Sequence, residues 1–323
     1  MHALRSARLA AALLALALAP ALAQDAKVQP TERPFLWVIE GDVPSFVYGT
    51  VHVPDPRVTT LPAVVDQAVD MADGLFTEVP MDAGMQMAMM RHVMLPPGQG
   101  LSTRISPELF KRLDAYVKRK GLPGAAAFEQ LKVWVTGMQL QLLEFAPQLQ
   151  AGGKALDQVL YDRARKAGKE VGGLETLQEQ LGCFDVLTAE EQARMLELAL
   201  DALEAPDDGK RVAPFEQLIV HYLAGDLDAL VESLEETQMG TDDEEAAARL
   251  KKALIIDRNH RMAERIGARL RDNPGKSYFF AVGTAHHHGE EGVVALLEAQ
   301  GLKLRRLTAQ DAGTLKKVPA GAR

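Results

Sequence analysis

The sequence predicts an α/β protein whose mixed central β-sheet is formed by the N- and C-terminal segments, with a large helical region inserted between them. Three observations predict this class. Apolar, strand-like segments are concentrated at 35–79 and 277–307, at the two ends of the chain. Helical patterns dominate from about 106 to 271. The motif Gly-Thr-x-His follows an apolar segment in both strand-rich regions and ends at His52 and at His286.

The N-terminus has the pattern of a cleavable export signal at residues 1–23. Arg5 and Arg8 precede an apolar run at 9–19, and an Ala-x-Ala sequence ends immediately before Gln24. The apolar run is shorter than the ~20 residues that cross a membrane, and no later stretch is apolar enough to do so. We therefore expect a periplasmic or secreted protein whose mature chain has no integral membrane segment.

We expect residues 24–323 to form a single domain, with its helical insertion at about 106–271, because a chain of ~300 residues can bury a large core. The net charge of −8 argues against a nucleic-acid partner, since binding to phosphates needs a basic surface. Cys183 is the one cysteine and cannot form an internal disulfide. We expect it to be a buried structural thiol.

The first strand-rich region predicts a hairpin followed by a crossover. Residues 35–40 and 45–48 are strand-like, and the turn residues at 41–44 join them into a β-hairpin. A helix is predicted at 61–72 and a further strand at 74–79. Strand, helix and strand in this order are typical of a βαβ unit with a parallel strand pair.

A methionine-rich helix is predicted from Met81 to Met94. One interpretation is a surface that adapts to ligands or binds a soft metal. The other is a helix whose flexible methionine side chains fill an irregular gap in the core. We expect the second, because copper-binding methionine clusters usually lie in loops.

The inserted region is predicted to be helical apart from one short strand at 169–174. Its helix signals are Ser106 followed by proline, an amphipathic pattern at 155–166 and a capping box at Thr188. A long, highly charged helix is predicted at 241–271. The chain then closes with a strand at 277–282, a helix at 292–300 and a strand at 302–307.

The repeated motif places a histidine just after each of two strands. Glycine at a strand end lets the backbone turn sharply, and the side chains that follow a parallel strand face the crevice where α/β proteins bind ligands. Two such corners on neighbouring strands would bring His52 and His286 together, although they are far apart in the sequence. A plainer interpretation is that each histidine merely satisfies backbone partners.

Acidic residues follow two further strand-like segments, Glu78 in Phe-Thr-Glu-Val and Glu175 in Gly-Leu-Glu-Thr. Two histidines and a carboxylate are a common ligand set for a divalent ion that activates water. The sequence has neither a Gly-x-Ser-x-Gly nucleophile elbow nor a His-Glu-x-x-His helix. Two common designs of hydrolase are therefore not indicated.

The sequence resembles the TraB/GumN family, which includes the Tiki proteins. The resemblance extends over nearly the whole mature chain in consistent order. Relatives of the Tiki type are described as divalent-metal-dependent proteases with two Gly-x-x-His motifs, and the group is more distantly similar to erythromycin esterase-like hydrolases and ChaN-like haem-binding proteins. The matching segments are 36–56, 75–80, 155–176, 257–266 and 279–304.

The resemblance implies roles for five residues. His52 and His286 match the two motif histidines and would hold the ion. Glu78 matches the family's acidic residue and would be either a third ligand or the base that takes a proton from water. Arg258 and Asn259 match the family's Arg-Asn pair, and Arg258 would stabilise negative charge on a substrate oxygen.

The chain departs from the family at His287 and His288, where relatives more often have apolar or small residues. The departure leaves three adjacent imidazoles as possible ligands, of which we expect His286. The resemblance implies a divalent ion such as manganese, cobalt or zinc, and a peptide or small-molecule substrate. Two alternatives stay open: a non-catalytic protein that binds a ligand, haem or metal, and a metal-independent, esterase-like hydrolase.

Overall fold

The computed structural model describes residues 30–205, 214–238 and 240–315, and the predicted export signal lies outside these ranges. The described residues form a six-stranded sheet with the order β4-β3-β5-β2-β1-β6. The predicted α/β class, with a mixed sheet from both chain ends and helices inserted between them, is confirmed. The strands are β1 Leu36–Ile39, β2 Ser45–Thr50, β3 Gly74–Thr77, β4 Glu170–Gly173, β5 Tyr278–Gly283 and β6 Leu304–Leu307.

Strand pairing confirms the hairpin and corrects the crossover. β1 pairs antiparallel with β2 and β6, whereas β2, β5, β3 and β4 run parallel to one another. The predicted direct pairing of the two strands of the βαβ unit is wrong, because β5 lies between β2 and β3. Every residue of β5 is buried, and a strand that is apolar on both faces belongs at the centre of a parallel sheet.

Helices cover both faces of the sheet and make up most of the chain between β3 and β5. Among the described residues, no helix is both long and apolar enough to cross a membrane. The α-helices in the described ranges are α1 Pro56–Thr59, α2 Ala63–Met71, α3 Ala83–Val93, α4 Pro107–Arg119, α5 Val133–Leu142, α6 Ala146–Gln150, α7 Leu156–Lys166, α8 Leu177–Leu181, α9 Ala189–Glu204, α10 Pro214–Ala224, α11 Leu227–Gln238, α12 Glu244–Lys251, α13 Asp257–Asp272 and α14 Val293–Ala299.

Two apolar cores lie on opposite faces of the sheet, because successive side chains of a strand point in opposite directions. Phe279 and Ala281 of β5 belong to the larger core, which includes residues of α2, α7 and α10. Tyr278, Phe280 and Val282 belong to the other core, together with residues of α13 and α14. The sheet is therefore the middle layer between two layers of helices.

Some of the inserted helices have an apolar cluster of their own. Leu113 of α4, Leu140 of α5 and Leu200 of α9 are buried together. The predicted helix starts are confirmed here: Ser106 caps α4, and Thr188 forms a capping box at the start of α9. This cluster packs separately from the two cores that flank the sheet.

The long charged helix predicted at 241–271 is interrupted by a π-helical turn at Lys252–Ile256, between α12 and α13. Such turns occur frequently at functional sites. Nη1 of Arg258 donates to the carbonyl oxygen of Leu254 in this turn, at 3.2 Å. The interruption thus lies directly before the Arg-Asn pair at 258–259.

The methionine-rich helix α3 does not fill a gap in the core. Met81, just before the helix, packs against the larger core, but no residue of α3 is fully buried. Met87 and Met90 are 70% and 52% exposed. The expectation is wrong because α7 already packs on β3, and α3 packs along α8 instead.

Gly49 in β2 lies where two side chains approach the backbone. A Cβ atom there would be 2.8 Å from Cβ of Phe35 and 2.9 Å from Oγ1 of Thr284. We expect Gly49→Ala to lower the free energy of unfolding by about 1–3 kcal/mol through overpacking, as measured by urea denaturation. Gly41→Ala is the control, because a Cβ atom at Gly41 meets nothing within 4 Å. Equal stability of the two variants would contradict the predicted crowding.

Candidate functional site

The carboxyl ends of β2, β5 and β3 lie side by side at one edge of the sheet. β2 and β5 pair in parallel with Thr50 opposite Gly283, so His52 and His286 follow neighbouring strand ends. Glu78 directly follows β3, on the other side of β5. The structure therefore brings together three side chains that are distant in the sequence.

Both imidazoles face the same carboxylate oxygen. Nε2 of His52 and Nε2 of His286 each lie 3.8 Å from Oε1 of Glu78. Ligand atoms around a tetrahedral zinc ion, at ~2.0–2.1 Å from the metal, are about 3.4 Å apart. Within the described ranges, no three His, Cys, Asp or Glu side chains already stand close enough together to hold an ion. The donor types nevertheless suit a divalent ion, and each Nε2–Oε1 distance exceeds this ligand spacing by only about 0.4 Å.

Asp157 of α7 holds His52 from behind. Its Oδ2 accepts a hydrogen bond of 2.7 Å from Nδ1 of His52, and its Oδ1 accepts one of 2.7 Å from Oγ1 of Thr50. A carboxylate oxygen accepts, so Nδ1 of His52 carries the hydrogen, and Nε2 points toward Glu78. Asp157 raises the pKa of His52 to about 9, although the side chain of His52 is 56% exposed.

Asn259 of α13 holds His286 in the same manner. Its Nδ2 donates to the carbonyl oxygen of Glu291 at 2.7 Å, so its Oδ1 is the atom that accepts from Nδ1 of His286, at 2.6 Å. Burial and the nearby Arg258 lower the pKa of His286 to about 3. His286 is therefore neutral near pH 7, with the lone pair of Nε2 directed toward Glu78.

Glu78 is buried and receives three hydrogen bonds. The backbone N–H of Gly283 donates to Oε1 at 2.7 Å, while Nη2 of Arg258 and Nε2 of Gln180 donate to Oε2 at 2.6 and 2.8 Å. Burial raises the pKa of a carboxyl group, but Arg258, the two imidazoles and the N–H of Gly283 together outweigh it here and hold the pKa of Glu78 well below its usual range. Glu78 is therefore ionised.

Arg258 bridges two buried carboxylates. Its side chain is 5% exposed, and its Nε donates to Oε2 of Glu175 at 2.8 Å. The other oxygen of Glu175 accepts from Nη1 of Arg261 at 2.6 Å. Burial raises the pKa of Glu175 despite these two cations. Glu175, a strand-end acid singled out in the sequence, thus lies behind Arg258 and not beside the imidazoles.

The glycine and threonine of each motif have contacts of their own. A Cβ atom on Gly283 would be 2.9 Å from Oε1 of Glu78, so glycine leaves room for the carboxylate. Oγ1 of Thr284 donates to the carbonyl oxygen of Thr50 at 2.9 Å and joins the two corners. The glycine and threonine of each motif therefore lie next to the other motif or next to a carboxylate of the site.

The other histidines near the site do not face Glu78. The ring of His287 packs against that of Trp37, with centroids 5.0 Å apart, and burial lowers the pKa of His287 to about 4. His288 lies at the surface with Nε2 3.1 Å from Oδ1 of Asp228. Of the three consecutive histidines, His286 is the one whose ring faces the carboxylate.

Two groups at the site were not predicted from the sequence, Asp157 and Gln180. A signal for Asp157 was present, because it shares the buried face of α7 with Leu160 and Tyr161, and a carboxylate on an apolar face needs a partner. Gln180 carries no such signal. Its contact with Glu78 depends on where α8 lies relative to β3.

Comparison with known proteins agrees with these features. The model of the TraB/PrgY/gumN family matches residues 35–306. The chain belongs to this family. His52, Glu78, Asp157 and His286 all lie within the matched range, so the whole cluster falls in the part of the chain that defines the family.

Curated relatives of this family member include metalloproteases by name. The chain is 29% identical to metalloprotease TIKI1 of Danio rerio, over 85% of this chain and 63% of the relative. It is 29% identical to metalloprotease TIKI2 of Xenopus tropicalis, over 90% and 63%, and 28% identical to metalloprotease TIKI1 of Homo sapiens, over 85% and 62%. The chain thus spans a little over 60% of the length of these relatives. No solved structure matches the chain significantly.

Asp157→Asn tests the electrostatic coupling at His52. Without the carboxylate, we expect the pKa of His52 to fall from about 9 toward ~6.5, as followed by NMR titration in the presence of a chelator. Because the pKa is raised in the folded state, protonated His52 stabilises the fold below its unfolded pKa, and this contribution is lost as pH rises through about 9. Asp228→Asn is the control. An unchanged pKa of His52 in Asp157→Asn would refute the coupling.

Arg258→Met tests whether the buried cation holds the site together. It leaves Glu78 and Glu175 without their shared counter-charge, and we expect a loss of about 3–5 kcal/mol in the free energy of unfolding, measured in urea. Arg265→Met is the matched control on the same helix, since the half-exposed Arg265 pairs with Glu179 and should cost under ~1 kcal/mol. Similar losses in the two variants would contradict a special role for Arg258.

Proposed function

We propose that this chain is an exported, metal-dependent hydrolase that cleaves peptide bonds. One observation carries the proposal: Nε2 of two histidines and one carboxylate oxygen converge from three strand ends, at 3.8 Å on each side. In each imidazole, an acceptor on Nδ1 orients the ring so that Nε2 faces the shared centre. Histidines that bind metals in proteins are held by a second partner in this manner.

His52, Glu78 and His286 would hold the ion, and His52, with a pKa of about 9, would release its proton on binding. A divalent ion supplies Lewis acidity, which polarises a carbonyl group and makes water more acidic. His286 and Glu78 are buried, whereas His52 is 56% exposed. A substrate carbonyl would therefore approach from the side of His52, and the buried pair would limit access from behind.

The geometry favours Glu78 as a ligand over Glu78 as a base. Its depressed pKa makes it a weak proton acceptor, whereas its negative charge suits a cation. Arg258 directs Nε, Nη1 and Nη2 at protein acceptors. The family resemblance implied that Arg258 contacts a substrate oxygen. These contacts instead support a positioning role, in which Arg258 holds Glu78 in place. Asn259 likewise supports His286.

The relatives' names support the peptide as substrate. Each of the three compared proteins is named a metalloprotease, and the chain shares with them most of its own length. Export by residues 1–23, which the sequence predicts, would place the hydrolase outside the cytoplasm.

A second candidate function is metal-independent hydrolysis. His52 is paired with a buried carboxylate at 2.7 Å, as in hydrolases in which a histidine acts as a general base. Asp157 would then support His52 as a base toward water, with activity rising as pH rises through the His52 pKa of about 9. Activity that persists in a chelator and is lost in His52→Ala would favour this candidate.

Metal analysis of purified variants tests the proposed function. We expect wild type to bind about one divalent ion per chain, and His52→Ala and His286→Ala to lose at least about tenfold in affinity, as measured by elemental analysis and calorimetry with manganese, cobalt and zinc. His288→Ala is the control, since this ring lies at the surface beside Asp228. Cleavage of peptide libraries should require the ion. Equal metal content in wild type and both variants would overturn the proposal.

A further inference from the structure

Helix α3 lies beside the site and has no core of its own. The helix α4, with 13 residues against the 11 of α3, buries Leu109, Leu113, Tyr116 and Val117, as an amphipathic helix ordinarily does. In α3 no residue is fully buried, and exposed methionines cover its outer face. A cluster of exposed apolar side chains of this kind marks a binding surface more often than chance.

The two ends of α3 are nevertheless anchored. Oδ1 of Asp82 caps the helix by accepting from the backbone N–H of Met85 at 2.8 Å, and Met81 packs against the larger core. At the other end Met94 forms an isolated bridge with Leu131. The helix is thus held at a fixed place along α8 while its side chains remain free to contact a ligand.

A groove of about 520 Å³ runs between α3 and the segment that follows β4. Its volume falls in the range of ligand-binding pockets. Small residues line part of it, Gly84, Ala88 and Gly173, and leave space beside Met85 and Leu177. Its charged lining residues are already engaged by the protein: Asp82 accepts from the N–H of Met85, and Glu175 and Arg265 form ion pairs with Arg258 and Glu179. Methionine is unbranched and polarisable, so it adapts to apolar side chains of different shapes.

The groove and the candidate site share two segments of the chain. Pro80, at one side of it, lies two residues after Glu78. The helix α8 contributes Leu177 to the groove and Gln180 to the hydrogen bonds of Glu78. The segment after β3 and the helix α8 therefore each contribute residues to both the groove and the candidate site.

We propose that this groove binds an apolar side chain of the peptide substrate and so selects which peptides reach the His52–Glu78–His286 site. The proposal rests on the proposed peptidase function and adds a substrate preference to it. Leucine- or methionine-sized side chains fit the lining, whereas a charged side chain would lose its hydration against Met85 and Ala88.

Methyl NMR of the full mature chain, labelled at methionine, tests the binding directly. The probes are three pools of short acetylated peptides whose central residue is leucine or methionine, aspartate, or lysine, added without metal so that no turnover occurs. We expect the first pool alone to shift the Met85 methyl signal. Ala88→Glu and Met85→Lys, which place a charge in the groove, should weaken this binding at least about tenfold.

Met87→Glu is the matched control, because Met87 is on the same helix, is 70% exposed and does not line the groove; it should bind as wild type does. Absence of a Met85 shift, equal shifts with all pools, or unchanged binding in both groove variants would overturn the proposal. A shift of the Met85 signal when only the protein concentration is raised would overturn the proposal and indicate that a second copy of the chain occupies the groove. A shift on adding phospholipid vesicles would overturn it and indicate that the groove binds a membrane.

Cleavage of the same pools in the presence of manganese, cobalt or zinc separates this inference from the proposed function. Binding of the apolar pool without cleavage of any pool would end the peptidase function and leave the groove as a peptide-binding surface. Cleavage with equal efficiency for all three pools would end the groove proposal and leave the peptidase function intact.

Discussion

The buried carboxylate of Glu78 is the group on which the arrangement of the site depends. An ionised carboxylate away from water is costly unless donors and a counter-charge surround it. β5 supplies the backbone N–H of Gly283, α8 supplies Gln180 and α13 supplies Arg258. The positions of these three elements relative to β3 are therefore coupled through one side chain, and the π-helical turn before α13 sets where Arg258 can reach.

Around this carboxylate, the same short motif gives two histidines with opposite properties. His52 is exposed and paired with Asp157, so its pKa is raised, whereas His286 is buried beside Arg258 and Asn259, so its pKa is lowered. The difference comes from the helices behind each corner and not from the motif. One ring faces solvent, and the other faces the interior of the protein.

Much of the fold could be predicted from local patterns. Apolar strand segments, capping residues at Ser106 and Thr188, and glycine at strand ends predicted the elements and their approximate bounds, because these signals act over a few residues. The repeated motif and Glu78 predicted which strand ends lie close together. Local patterns gave the wrong position for α3. Methionine suits a core as well as a surface, and the methionines of α3 lie at the surface.

Long-range packing decided what these patterns left open. The insertion of β5 between β2 and β3, the placement of Asp157 and Gln180 beside His52 and Glu78, and the orientation of the His286 ring toward Glu78 all depend on contacts between residues far apart in the chain. Sequence periodicity indicates which face of a helix or strand is buried. It carries no record of which other element covers that face, because many partners can bury the same apolar area equally well.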